Sequence, residues 1–226
     1  DLEDVDDFLS DVDAWCQAQN VPAGAALAEY APGQFEINLH HVDDPLRACE
    51  HALMLKRVVK AAANKHGLAA TFMAKPYEQE PGSAMHIHQS IVNAKGVNLF
   101  SNRSGKDTRL FMAYIAGLQK YLPASMPLIA PYVNSYRRLV RFLSAPVNTH
   151  WGHENRTVGL RIPESEQKNR RIENRVPGAD ANPYLAIAAS LACGYLGMTQ
   201  NLSPTKPMEG NAYDSMRYQL PRHLLD

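Results

Sequence analysis

Several things are missing from this 226-residue sequence, and each absence excludes a class of function. Charge bias is missing: 23 basic and 23 acidic residues cancel, so no general footprint for a polyanion exists and no nucleic-acid partner is expected. Cysteine is scarce. Cys16, Cys49 and Cys193 lie far apart, without CxxC spacing, in helix-like segments, which suits core packing in a reducing compartment better than metal or redox work. No apolar run is long enough to span a bilayer. The longest, residues 184–198, is about five residues short and rich in Ala and Gly. It reads as a buried helix. With no secretory signal pattern either, no membrane association is expected and the expected location is the cytoplasm. Neither GxxxxGK[ST] nor a helix-opening GxGxxG occurs, so a P-loop is excluded and a dinucleotide fingerprint is absent. Internal repeats and low-complexity stretches are lacking too. So is an initiator Met: Asp1 starts directly in an acidic helical pattern, and the chain reads as a piece of a longer one.

What remains is an ordinary globular composition, 45% apolar and 20% charged. Val5, Phe8, Leu9, Val12, Trp15 and Cys16 recur at i, i+3, i+4 spacing and predict an amphipathic helix with an acidic outer face. Residues 36–40 alternate as a half-buried strand does. Asp44-Pro45 opens a helix whose inner face is Leu46, Cys49, Leu53 and Val58, with Gly67 as its stop. A β-prone run covers 70–73, alternation returns at 85–92, and 107–121 is helical. Residues 157–162 and 171–176 read as strands, and Asn182-Pro183 opens a last long helix. Beyond Thr199 the periodicity fades into a tail that packs on something else. Strands and helices intersperse without a βαβ rhythm, so the class is α+β.

Four polar constellations could carry chemistry. Glu29 and Glu36 flank a Pro32-Gly33-Gln34 turn, and two carboxylates so joined can converge on a hard cation, although such a pair can also be plain solvated surface. On a strand, His86, His88 and Ser90 project from one face and could serve a metal and a neighbouring phosphate in turn. HxH also occurs in zinc hydrolases, and histidines are often satisfied structural groups. Arg171, Glu173 and Arg175 share a strand face. The guanidiniums should depress the pKa of the glutamate, keep it ionised as a ligand and hold phosphate or carboxylate bidentately, unless the trio is a salt-bridge ladder on an exposed strand. Residues 134–138, with Arg138, and 155–161, with Arg156 and Arg161, suit an anionic substrate. Arg156 and Arg161 have opposite strand parity, which places one of them on a bend or before the strand. Together these sets ask for one site with two or three cations, a nucleoside triphosphate and an anionic amino acid.

At this point the motifs, in order, resemble the signatures of the glutamine synthetase family: Glu29 with Gly33-Gln34 and Glu36, Lys75-Pro76, Gly82 to His88, Asn134 to Leu139, Ala145-Pro146-Val147, Asn155-Arg156, and Arg170 to Glu173 with Arg175. Within the family, 144–148, 151–152, 154–161 and 177–184 look most like the γ-glutamylputrescine (γ-glutamyl-polyamine) synthetase branch. The resemblance implies a glutamine synthetase/guanido kinase-like catalytic domain over 1–226, with a curved, mainly antiparallel sheet and flanking helices. It implies ATP and Mg2+ (or Mn2+) as cofactors, glutamate and an amine as substrates, and a γ-glutamyl phosphate intermediate. By the same resemblance Glu29, Glu36, His86 and Glu173 are metal ligands, and His88 and Ser90 lie beside the nucleotide. Gly82 makes a backbone contact to glutamate, and Arg138 and Arg175 meet its carboxylates. Arg156, Arg161 and Arg171 hold phosphates.

Departures from the family pattern narrow the reading. A further metal-binding carboxylate pair and an N-terminal β-grasp domain, which closes a neighbour's site in a homo-oligomeric ring, are not among these residues. Ser144 stands where ammonia users carry a flap glutamate, and Pro81 where they carry an asparagine. Ser144 therefore points to an alkyl amine, with Trp151 as an apolar wall and Glu154 as a holder for a distal ammonium. Glutamine synthesis from ammonia is the enzymatic rival, and a family relative serving only assembly or binding is the other. A guanidino kinase, similar in fold, has no use for the paired glutamates and HxH. The 226-residue chain alone is expected to be catalytically silent, because its candidate ligands fill only part of the octahedral shells that Mg2+ demands. Glutamate-dependent ADP release from the purified chain, at a rate near that of a full-length protein, would contradict this.

Overall fold

The computed structural model describes residues 3–226, and the chain divides into two compact units, Asp1–Phe72 and Met73–Asp226. In the first, helix α1 (Asp6–Ala18) buries Phe8, Val12 and Cys16, one residue per turn, and turns its aspartates outward. Strands β1 (Ala23–Ala28) and β2 (Phe35–Leu39) form an antiparallel hairpin. Helix α2 (Pro45–Lys65) starts where the Asp44 carboxylate accepts from the Leu46 and Arg47 N–H groups, at 2.8 and 3.4 Å. It stops at Gly67, whose φ of +67° lets Leu68 N–H reach back to the Ala63 carbonyl. The core of this unit is Phe8, Val12, Cys16, Val21, Val58, Ala62 and Ala63. Leu46 and Leu53, expected on the inner face, are exposed instead. The helix turns its small Ala62 and Ala63 inward, and the apolar stripe read from larger residues was off by part of a turn. Residues 70–73 form no strand.

The second unit holds β3 (Ile87–Gln89), α3 (Arg109–Tyr121), α4 (Met126–Ile129), α5 (Val133–Arg138), β4 (Trp151–His153), β5 (Leu160–Ile162), β6 (Ile172–Asn174) and α6 (Pro183–Thr199). The four strands make one sheet in the order β3-β6-β5-β4. The first two pairings are antiparallel and the last parallel, so the α+β expectation and the mainly antiparallel sheet both hold. β3, β5 and β6 are each shorter than the run that announced them, because side-chain alternation continues past the ends of the hydrogen-bonded ladder, and β4 was not anticipated. The apolar face of the sheet (Leu160, Ile162, Ile172) joins Phe100, Phe111, Tyr114, Ile115 and Leu118 and the Ala186, Ala189 and Cys193 face of α6 in one core. All three cysteines are free and buried, as core packing requires.

Helices α3 and α6 meet backbone to backbone. A Cβ on Gly117 would lie 2.1 Å from the Cys193 carbonyl oxygen, and one on Gly197 would lie 2.1 Å from that of Ala113. The other face of α6 carries Tyr184, Leu185, Tyr195 and Leu196 exposed, so the helix is buried on one side rather than all round. No helix among the described residues is long and apolar enough to cross a membrane. The tail beyond Thr199 packs on its own unit: Met208 N–H donates to the Trp151 carbonyl (2.7 Å), Thr205 pairs with Gln119, and Leu220 N–H reaches the Val147 carbonyl (3.0 Å). Gly117→Ala should destabilise the protein by roughly 3 kcal/mol or more, since backbone cannot yield as an overpacked side chain does. A urea melt with an unchanged midpoint would show that the helices separate freely.

Candidate active site

Glu173, the middle residue of β6, is the centre of a charged cluster. Its side chain is only 3% exposed and touches three partners: Arg175 Nη1 at 2.8 Å, Arg161 Nη1 at 2.9 Å and His86 Nδ1 at 3.2 Å. Register explains the meeting, because Glu173 lies opposite His88 of β3 on one side and Arg161 of β5 on the other. Burial alone would raise its pKa, but the hydrogen bond from His86 and the charge of Arg175 outweigh it and hold the carboxyl well below the usual range. Glu173 is an anion at every pH at which the protein would work.

The imidazole of His86 is pushed down by burial, against the pull of Glu173, and stays neutral. An ionised carboxylate only accepts, so His86 donates from Nδ1 and keeps its lone pair on Nε2. A neutral imidazole oriented by a carboxylate is the usual form of a metal-binding histidine. His88 lies on the exposed face of β3, where desolvation by the surrounding protein, and then Arg171, push it down to about 4. Its Nδ1 accepts from Arg171 Nε at 3.1 Å. Ser90 is exposed one residue beyond the strand.

Arg161 is held at both ends. Nη1 is on Glu173, and Nη2 is on Glu154 Oε2 at 2.9 Å. The chain His86, Glu173, Arg161, Glu154 thus crosses the sheet in strand order, from the lip of β3 to the end of β4. Arg156 sits exposed in the turn before β5, which settles the parity question: only Arg161 is on the strand. Asn155 is a structural clamp, its amide donating to the carbonyls of Gly210 (2.8 Å) and Met208 (3.2 Å).

Arg138 is buried at 2% exposure and donates to the carbonyls of Val176 (2.8 Å) and Arg175 (3.0 Å), just past β6. Burial, then repulsion from Arg175, lower its pKa to about 10, so it remains charged. It pins the backbone that presents Arg175, and it also backs Gly82. A Cβ at Gly82 would fall 2.4 Å from the Ala74 carbonyl oxygen and 2.7 Å from Arg138 Cγ, so only glycine fits. Two further ties were not visible in the sequence. Asn134 exchanges hydrogen bonds with the backbone of Lys75 (2.9 and 2.8 Å), and Ser135 donates to Asp180 at 2.6 Å. Asn134-Ser135 stood out as motif letters, but nothing in their spacing named Lys75 or Asp180 as partners.

Two expected amine contacts are corrected. Trp151 packs in the core at 5% exposure with its indole N–H on the Thr205 carbonyl (2.9 Å), so it offers no wall to a substrate. Glu154, although half-exposed, spends both carboxylate oxygens on Arg161 and on the Glu164 N–H rather than keeping them for an ammonium. Ser144 is exposed at φ +59°, and its carbonyl accepts from Arg175 Nη2 at 3.4 Å. In the first unit, Leu27 pairs with Glu36 and Glu29 N–H donates to the Gln34 carbonyl, so Glu29 and Glu36 are diagonal neighbours on one face of the hairpin. Among the described residues no cluster of three or more His, Cys, Asp or Glu side chains forms a complete metal site. The candidate donors come as two pairs, one in each unit.

Residues 1–226 match the family model for the glutamine synthetase catalytic domain. The chain is 48% identical over 215 residues to the γ-glutamylputrescine synthetase PuuA of Escherichia coli, covering 95% of this chain and 46% of that protein. It is 38% identical over 209 residues to a glutamate–isopropylamine ligase of a Pseudomonas species, covering 92% and 45%. A glutamine synthetase of Methanocaldococcus jannaschii is 36% identical over 215 residues, covering 94% and 47%. Among solved structures, GmaS in an ADP complex superposes with a TM-score of 0.89 at 32% identity, covering 99% of this chain and 54% of that one. The chain spans about half the length of the curated relatives it matches. In motif order, in fold and over its whole length, it belongs to the glutamine synthetase family, as that family's catalytic domain.

Proposed function

We propose that the protein to which this chain belongs ligates the γ-carboxylate of glutamate to an alkyl amine at the expense of ATP, putrescine or a related polyamine being the amine of choice. The observation that carries this is Glu173, a buried ionised carboxylate flanked by a neutral histidine and two guanidiniums. Such a cluster suits a cation bridging to an anion. The similarity to γ-glutamylputrescine synthetase and to glutamate–isopropylamine ligase supports an organic amine over ammonia.

A carboxylate is a poor electrophile, and phosphorylation makes it a good one. Charge that spreads over the transferred phosphoryl oxygens needs fixed positive partners. In this reading Arg161, Arg156 and Arg171 meet phosphate oxygens, Arg175 orders the glutamate carboxylates with the buried Arg138 holding its backbone from behind, and the Gly82 backbone lies against the substrate. His88 and Ser90 flank the nucleotide. The chemistry of the donors suits divalent metals, as two separate pairs: His86, with a lone pair on Nε2, beside Glu173, and in the first unit Glu29 beside Glu36. Bound there, Mg2+ or Mn2+ would neutralise phosphate charge. The amine then displaces phosphate in a site kept dry, because an acyl phosphate hydrolyses in water. A closed ring of copies is the assembly this reading implies.

Glu173→Ala in the full-length protein should cost at least a hundredfold in rate, about 2.7 kcal/mol, by removing a ligand and leaving Arg161 and Arg175 unbalanced. A variant within threefold of the unmodified protein would make the cluster purely structural. The amine is tested at Ser144, which has no charge with which to bind ammonium or take its proton. With ATP and glutamate, a diamine or alkyl amine should exceed ammonium by at least tenfold in kcat/KM, about 1.4 kcal/mol. Ser144→Glu should narrow that gap. Phosphate release that is faster with ammonium than with any amine would favour glutamine synthesis instead.

A further inference from the structure

Glu154 has no part in the reading above, yet its backbone and both its carboxylate oxygens are committed. It follows directly after β4, where its N–H donates to the Ile162 carbonyl at 3.0 Å. Its φ is +49°, the left-handed region that non-glycine residues seldom occupy and that persists only where surrounding contacts enforce it. One carboxylate oxygen receives the Glu164 N–H and the other receives Arg161 Nη2, so this side chain straddles β5 and its exit. Arg161 is 15% exposed, against 49% for Glu154, so the arginine is gripped from inside by Glu173 and from outside by Glu154. Arg161 Nε is buried with no acceptor among the described residues, which leaves the two carboxylates as its fixed points. Were Glu154 lost, the guanidinium could pivot about its one remaining contact.

We propose that Glu154 is a positioning residue for Arg161, fixing the guanidinium where it meets the phosphoryl group in transfer. This rests on the ligase reading. An exposed ion pair contributes little to stability, so the effect belongs in the rate and not in the fold. Substrate binding is spread over many contacts, whereas the moving charge needs its guanidinium in place; a misplacement of about 1 Å can cost on the order of a hundredfold. Glu154 would therefore act on kcat more than on KM.

The test uses the full-length protein with ATP, glutamate and putrescine. Glu154→Ala should lower kcat at least tenfold with KM for ATP within threefold. Glu154→Gln, which can still accept from Arg161 but loses the second acceptor, should fall between it and the unmodified protein. Glu154→Gly should lose as much rate as the alanine variant while melting within about 4 °C of the unmodified protein, because glycine relieves the positive φ. In an Arg161→Lys background, Glu154→Ala should cost less than a further twofold, since a residue acting through Arg161 has nothing left to position. Three results overturn the inference while leaving the ligase reading standing: a Glu154→Ala rate near that of the unmodified protein, an undiminished loss in the Arg161→Lys background, or a loss that follows melting temperature. An unmodified protein that turns over neither amines nor ammonium overturns the ligase reading, and the inference with it.

Discussion

A carboxylate almost sealed from water must be answered by donors or it will not stay ionised, and Glu173 imposes that demand on everything around it. Arg175 and His86 satisfy one oxygen and Arg161 the other, drawn from just past the end of β6, the lip of β3 and the middle of β5. That need sets the strand order of the sheet as much as the apolar face beneath does. Each answering group then needs support. The peptide carbonyls of Arg175 and Val176 are tied down by Arg138, which is itself packed against Gly82. The cluster contains more guanidiniums than carboxylates, so it is built to receive anions. Its cost in desolvation is met within the protein before any substrate arrives.

The two halves of each short strand do different work. Ile172 and Leu160 face the core formed with α3 and α6, while Glu173 and Arg161 face the charged side. A one-residue slip of β6 against β5 would exchange these sets and bury charge against Phe111 and Leu118. Register and chemistry are therefore the same constraint in this sheet. It explains why strands of three residues suffice: burial on one side and ion pairing on the other both oppose slippage.

The charged strand face was legible because alternation is a local property. Arg171, Glu173 and Arg175 announce a shared face by spacing alone, but against burial the Glu173 pKa is held down first by the hydrogen bond from His86 and then by Arg175, while Arg171 turns to His88. The identity of the third partner was not legible, since Arg161 reaches Glu173 through strand pairing, which no periodicity encodes. Hairpin strand β1 escaped notice because Ala-Gly-Ala-Ala-Leu-Ala has none of the branched residues that mark strands. Trp151 misled for the opposite reason: an aromatic between polar motif letters looks available, and only the tail residue Thr205, far along the chain, shows it to be enclosed. Glu154 likewise showed its charge in sequence and hid its partner. The two roles that the geometry reassigned, those of Trp151 and Glu154, had been read from what an alkyl amine needs and not from the family resemblance.

Near-contact of the α3 and α6 backbones also governs where compliance can reside. With Gly117 against Gly197, neither helix can slide along the other without driving carbonyls into Cα atoms. Helix α6 begins at Asn182, close in sequence to Asp180, which Ser135 of α5 grips, so the scaffold behind the cluster is braced at both ends. The turns beside Arg175 and Arg161 are braced as well. Phe142, Ser144 and Glu154 are non-glycine residues with left-handed backbones, and each is tied in place: Phe142 against the Tyr213 ring, the Ser144 carbonyl on Arg175 and the Glu154 carboxylate on Arg161. Stiffness thus extends from the helix pair to the rim, where neither turn can shift without giving up its hold on a guanidinium.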